Sequence, residues 1–157
     1  NNPRFKGFFV ADLKSWFDGY PAETREILDR TPDNALIWND IIDIKPIPRY
    51  AFDNVLLVGD AAHATTPNMG QGACQAIEDA AVLQDELMRG GSIQEIFQRF
   101  ERRRIKRTHF IINQSASVGK VAQVSHPLII GIRNAVFRRL PERMKEKQFE
   151  KLYDTDF

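Results

Sequence analysis

The sequence predicts an α/β fold, with an α+β balance within this chain, on three observations. Val55, Leu56, Leu57 and Val58 form an uninterrupted apolar run closing on Gly59-Asp60, the pattern of a short strand covered on both faces. Gly70, Gln71 and Gly72 then open a helix lined by Ala73, Ala76, Ala80 and Ala81, whose small side chains permit close packing against a sheet or a flat ring. Beyond it, Ile93, Ile96, Phe97 and Phe100 recur at helical spacing and make the last third of the chain mostly helical.

Taken in order, Phe5 to Ala11 reads as a strand and Leu13 to Arg30 as helical, with a break at Gly19 to Pro21 where Pro21 suits the start of a second short helix. Thr31-Pro32 stops that helix, because the residue before a proline is pushed out of the helical region. Ala35 to Pro48, rich in isoleucine and closed by two prolines, reads as strands returning from a separate sheet layer. The Gly-rich helix ends at Gly90-Gly91, and Ser92 with Glu95 has the spacing of a capping box for the next helix, which runs towards Asn113. Pro127 and Pro141 each sit near a helix start, and Leu128, Ile132, Ala135, Val136 and Leu140 supply one apolar stripe. Three regions follow: 1–48, 49–91 and 92–157.

With 157 residues and 43% hydrophobic content, the chain is long enough to bury a core. Lys plus Arg is 22 against 21 Asp plus Glu, a net charge of +1, so no global field points to nucleic acid or a membrane surface. Cys74, the single cysteine, excludes an internal disulfide and suits a reducing cytoplasm.

The chemistry concentrates between residues 54 and 87. Gly59 allows a sharp turn and close approach to a ligand. Asp60 follows where a strand ends, and its two oxygens can accept hydrogen bonds from sugar hydroxyls. At Gly70, Gln71 and Gly72 the first amides of a helix point outward and favour negative charge. That order describes a site for a flat, anionic cofactor. It is not the GxGxxG dinucleotide fingerprint, since Gln75 replaces the third glycine and Asp60 to Met69 intervene after Gly59.

The string from Val58 to Ala80, VGDAAHATTPNMGQGACQAIEDA, resembles the second flavin motif of the FAD-dependent aromatic hydroxylases of the para-hydroxybenzoate hydroxylase type. IKPIPRYAFDNV, QRFERRRIKRT, HPLIIGIRNAVFRRLP and KLYDTDF are most similar to the branch of that family with urate hydroxylase, salicylate hydroxylase-like and zeaxanthin epoxidase-like enzymes. The resemblance implies the C-terminal part of a Rossmann-like flavoprotein monooxygenase fold: the end of a substrate-binding sheet over 1–48, the second half of an FAD-binding domain over 49–91, and a helical region over 92–157. It implies that Asp60 binds the ribityl chain of FAD, that Pro67 stands beside the reactive edge of the isoalloxazine, and that the amides around Gly72, Ala73 and Cys74 face its pyrimidine oxygen. NADH or NADPH as transient electron donor, dioxygen, and a small aromatic or unsaturated substrate complete the implied reaction. The family's N-terminal GxGxxG turn has no counterpart here, so the chain reads as the C-terminal part of a longer enzyme and is expected to be inactive in isolation. Other readings are a related flavin reductase or halogenase, or a helical interaction module.

Other residues read more plainly. Arg102, Arg103, Arg104, Lys106 and Arg107, which could dock a nucleotide phosphate or RNA, read as a solvated helix face. Cys74 reads as a small packing residue, and Trp16 and Trp38 as core aromatics, with Trp38 or Tyr50 able to reach the substrate side. His63, His109 and His126 lack metal-ligand spacing, and His63 is expected to brace the turn after Asp60. Glu78 and Asp79 point about 100° apart on a helix and so do not form an acid pair; Asp79 is expected to orient nearby backbone or side chains. No general base is assignable.

Overall fold

The computed structural model describes residues 7–37, 39–141, 143, 150 and 152. The chain forms two compact units, the first ending at Ile41 and the second beginning at Ile42.

In the first unit, helix α1 (Val10–Trp16) and helix α2 (Ala22–Arg30) pack together. The expected strand over Phe5 to Ala11 is not formed at its described end: Asp12 accepts the Phe9 amide at 2.8 Å and Asp33 accepts the Val10 amide at 2.8 Å, which caps a helix there instead. The break at Gly19 to Pro21 and the stop at Thr31-Pro32 stand as the sequence predicts. Trp16 is 60% exposed and rests against Phe8 rather than in a core, and Trp38 lies outside the described residues.

The second unit opens with an irregular segment where strands are expected. Among the described residues between Ala35 and Pro48 no strand forms, because no ladder partner lies beside them; Ile44 donates to the Ala64 carbonyl at 3.1 Å, and Ile41 and Ile42 are exposed. Strand β1 (Ala51–Phe52) then pairs antiparallel with strand β2 (Val55–Leu56), in register Ala51 to Leu56 and Phe52 to Val55. Asp53 takes a left-handed φ of 47° to close that hairpin. The apolar run is therefore a hairpin arm with Val55 and Val58 exposed, not a strand covered on both faces.

Among the described residues, helices α3 (Asp60–His63), α4 (Gly72–Arg89), α5 (Ile93–Ala122) and α6 (Pro127–Arg139) follow in order. Gly90 and Gly91, both at positive φ, turn the chain between α4 and α5. Ser92 then caps α5, its hydroxyl accepting the Glu95 amide while Glu95 accepts the Ser92 amide at 2.9 Å. The core gathers Tyr50, Ala62, Val82 and Phe100, with Leu56, Leu57 and Ile105 against them. Tyr50 is fully buried and its hydroxyl meets Thr108 Oγ1 at 2.6 Å, so it does not reach outward. Glu101 accepts the amides of Tyr50 and Ala51 and thereby fixes the hairpin to α5. Helix α6 carries no buried residue, so the stripe through Leu128, Ile132 and Val136 is exposed.

The basic run on α5 divides. Arg102 and Lys106 face solvent, but Arg104 is 2% exposed, and the expectation of a solvated face fails there. Its Nε donates to Asp79 Oδ1 at 2.7 Å, Nη1 to Glu78 Oε2 at 2.6 Å, and Nη2 to the carbonyl and side-chain oxygens of Gln75 at 3.0 and 2.9 Å. Arg107 donates to both oxygens of Glu78, and Arg103 to Asp85 and Glu86. Arg104 is buried because it lies on the stripe Ile96, Phe100, Arg104, Thr108 that α5 turns inward, and the carboxylates of α4 meet it there. Asp79 does orient its surroundings as expected: its Oδ2 accepts the Gly59 amide at 2.8 Å and His63 Nε2 at 2.7 Å.

Burial opposes ionisation of Asp79, but the bonds from His63, the Gly59 amide and Arg104 outweigh it and hold the carboxyl below the usual carboxylate range. For Glu78, burial is likewise outweighed by Arg107 and Arg104.

Removing the guanidinium would leave buried Asp79 with only His63 and the Gly59 amide, and Glu78 with Arg107 as its one remaining cation. Arg104→Ala should therefore lower unfolding free energy by about 3–5 kcal/mol. Arg104→Lys should restore only part of it, because an ammonium lacks the planar fork that spans both acids. Urea titrations of the two variants provide the measurement; a loss below about 0.5 kcal/mol would show that the network contributes no more than an ordinary surface residue. Both carboxyls are more acidic folded than unfolded, so their contribution is complete above the unfolded carboxylate range and is lost as pH falls through the lower folded values. The urea midpoint should hold from neutrality to about pH 5 and drop below about pH 4. A midpoint unchanged down to about pH 3 would contradict this account.

Candidate functional site

A turn that only glycine adopts readily begins the site. Gly59 has φ 56° and ψ −139°, and its amide is held by Asp79 from α4. A Cβ at Gly59 would stand 3.6 Å from that of Ala76, so here the strand end and α4 come close, as the alanine spacing predicts. The rest of the alanine face, Ala73, Ala80 and Ala81, is exposed. Gly59 donates to the carboxylate of α4 while its carbonyl accepts the amides of Ala62 and His63 at 2.9 Å, which starts α3 with Asp60 as its first residue. Asp60 is thereby left exposed at the mouth of a cleft, and His63 is buried behind it, bracing the turn through Asp79.

From Ala64 the chain runs extended to Thr66, then turns through a 3₁₀ segment, Pro67–Met69, that closes at Gly70 with φ 64°. Helix α4 starts immediately afterwards. Gln71 precedes it, buried, and its carbonyl accepts the Gln75 amide at 2.9 Å while no side chain caps the helix. The amides of Gly72, Ala73 and Cys74 thus begin a helix of 18 residues with no intrahelical acceptor and no acidic side chain in the first turn. Such an end carries positive potential.

Asp60, Thr65, Thr66, Pro67, Gly70, Gly72, Ala73 and Ala76 line one open cleft of about 570 Å³. An exposed carboxylate and the uncapped helix start thus share its lining. Of the residues the sequence singles out, Asp60, Pro67, Gly70, Gly72 and Ala73 meet at this cleft. Gly59 supports it from behind, and Gln71 is turned into the protein. Cys74 is exposed on the first turn of α4 with Sγ 4.0 Å from the Gly70 carbonyl, so its expected role as a packed residue is not what the structure shows.

Sequence reasoning missed Thr65 and Thr66, whereas Ala76, already named on the small-residue face of α4, also lines the cleft. Thr65 Oγ1 is buried at the cleft and has no hydrogen-bond partner, a cost that a bound polar group would relieve. The paired threonines before Pro67 were the available signal, since an extended Thr-Thr-Pro segment alternates its hydroxyls between two sides. Among the described residues no group of three His, Cys, Asp or Glu is arranged to hold a metal ion, and no helix is long and apolar enough to cross a membrane.

Comparison with known proteins places the chain. Residues 27–115 match the family described as FAD binding domain. The aurachin C monooxygenase/isomerase of Stigmatella aurantiaca is 33% identical over 82% of this chain and 34% of its own length. The 3-hydroxybenzoate 6-hydroxylase of Polaromonas naphthalenivorans is 35% identical over 84% of the chain and 33% of its own length. The chain thus spans about a third of the length of these curated relatives. A crystal structure of Klebsiella pneumoniae HpxO complexed with FAD and uric acid superposes with a TM-score of 0.80 at 24% identity, covering 91% of this chain and 37% of that one, a likeness of fold. The match over residues 27–115 takes in the Gly59 turn, the cleft and α4 together, and on it the chain belongs to the FAD binding domain family.

Proposed function

We propose that this chain supplies the ribityl- and ring-facing half of the FAD site in a monooxygenase that draws electrons from NADH or NADPH and uses dioxygen to hydroxylate or epoxidise a small aromatic or unsaturated substrate. The observation that carries the reading is a single cleft lined by both an exposed carboxylate and an uncapped helix start. When bound, FAD supplies the redox and oxygen-transfer chemistry, for which the side chains of this chain have no equivalent. Relatives named for urate and 3-hydroxybenzoate hydroxylation support a small ring as the substrate class.

The residues fit the cofactor. Asp60 accepts hydrogen bonds from ribityl hydroxyls, a charge-assisted contact that also fixes the direction of the chain between ring and phosphates. The amides of Gly72, Ala73 and Cys74 face the pyrimidine edge and stabilise negative charge that reduction places there. Pro67, with no amide hydrogen and a fixed φ, gives the ring a rigid apolar neighbour that does not compete for its polar atoms. Thr65 Oγ1, buried and unpartnered, offers the cofactor a further hydroxyl. The region over 1–48 belongs to the substrate layer in this reading, and α5 buttresses the flavin half-site.

Two substitutions test the assignment in the protein that carries this chain. Asp60→Ala should lose about 1.5–3 kcal/mol of FAD binding, a rise in Kd of about tenfold or more by fluorescence titration. An unchanged Kd would remove Asp60 from the site. Gly72→Ala is the complementary case, because within the chain a Cβ there meets only Thr65 Cγ2, at 3.7 Å. Helical circular dichroism should therefore survive while FAD occupancy falls. Oxidation of NADH or NADPH in air, with hydroxybenzoates and purines supplied and products screened for one added oxygen atom, tests the reaction itself.

A further inference from the structure

The cleft wall that carries Pro67 is pinned to α5 by a directional set of hydrogen bonds. Asn68 Nδ2 donates to Thr66 Oγ1 at 2.8 Å and to the Ser115 carbonyl at 3.0 Å. Thr66 Oγ1 meets Ser115 Oγ at 2.8 Å, and Ser115 Oγ donates to the Thr66 carbonyl at 2.6 Å, so every hydroxyl hydrogen in the set has one acceptor. One turn further along α5 stands Gly119, buried within a long helix where alanine would be intrinsically favoured. A Cβ built there would overlap Asn68 Nδ2 and stand 3.2 Å from Asn68 Cγ. The side-chain amide could swing away only by giving up both of its hydrogen bonds.

We propose that Asn68 is a positioning residue for the ring-facing wall of the cleft, and that Gly119 leaves the space that lets its amide clamp Thr66-Pro67 to α5. The inference rests on the reading of the cleft as a flavin half-site, but the clamp itself is a property of the chain. Its logic is steric and local: Ser115 fixes the backbone of Thr66, Asn68 bridges back to the same serine, and Pro67 between them has no freedom in φ. Loss of the clamp leaves Asp60 on its own support, the Asp79 carboxylate, and so alters one wall of the cleft alone.

A double-mutant cycle with Asn68→Ala and Gly119→Ala tests it on the full protein, with and without FAD. Without cofactor, Gly119→Ala should lower the melting temperature when Asn68 is present and raise it in the Asn68→Ala background, where the space is free and helix propensity alone acts. The same sign in both backgrounds would overturn the clamp. With FAD, each single variant should shift the visible-region circular dichroism of the bound flavin and weaken its binding about tenfold, and the double variant should be no worse than Asn68→Ala. A sign reversal in the melts with an unmoved flavin spectrum and affinity would show a merely structural clamp and overturn the positioning role. An unsubstituted protein that takes up no FAD would instead sink the flavin reading of the cleft, whatever the melts show.

Discussion

A guanidinium with no access to water sets the terms for everything packed around it. The charge of Arg104 is buried, so the acids beside it must stay in place, and each oxygen that receives one of its hydrogens is committed. Asp79 spends one oxygen on Arg104 and the other on the Gly59 amide and His63, which ties the charge of α5 to the backbone turn at Gly59. Three segments distant in sequence are thereby held by one carboxylate. Without it the amide of the left-handed turn at Gly59 would lose its acceptor.

Helix α5 acts as a ruler for the cleft. Arg104 and Ser115 are eleven residues apart, three turns and about 16 Å along one face. The first holds, through Asp79, the wall that presents Asp60; the second holds the wall that presents Pro67. Tyr50, bonded to Thr108 between them, keeps the β1–β2 hairpin on the same line. A regular helix keeps such distances better than a loop can, and the cleft residues, mostly in short turns, borrow their precision from it.

What could be read from the sequence was what is local. Gly59-Asp60, the uncapped start at Gly72, the glycine turn at 90–91 and the Ser92–Glu95 cap are each set by a few neighbouring residues, and each stands where the pattern puts it. The Val55–Val58 run and the segment from Ala35 to Pro48 depend instead on strand partners elsewhere, and composition carries no such information. Arg104 was misread for a different reason. Its place on the stripe with Phe100 and Thr108 marked it as inward-facing, but membership of a basic run outweighed the spacing, and the acids that receive it lie on another helix. Asn68, Ser115 and Gly119 give no signal singly; only the folded proximity of a turn and a helix joins them.

The two-glycine joint between α4 and α5 has a consequence for how the molecule assembles. The contacts that zip this helical pair are close in sequence, with Arg99 meeting Glu86 and Arg104 meeting Asp79, whereas Ser115 must find Thr66 and Thr108 must find Tyr50 across roughly twice the separation of the longer of these. Short loops close at smaller entropic cost, so the helical pair should form early and the turn bearing Pro67 should dock onto a scaffold already in place. The order runs backwards on opening, since segments held by few long-range contacts part first. Mild heating or denaturant should therefore release the ligand-facing turn while the paired helices remain, leaving helical content as a poor reporter of a competent binding cleft.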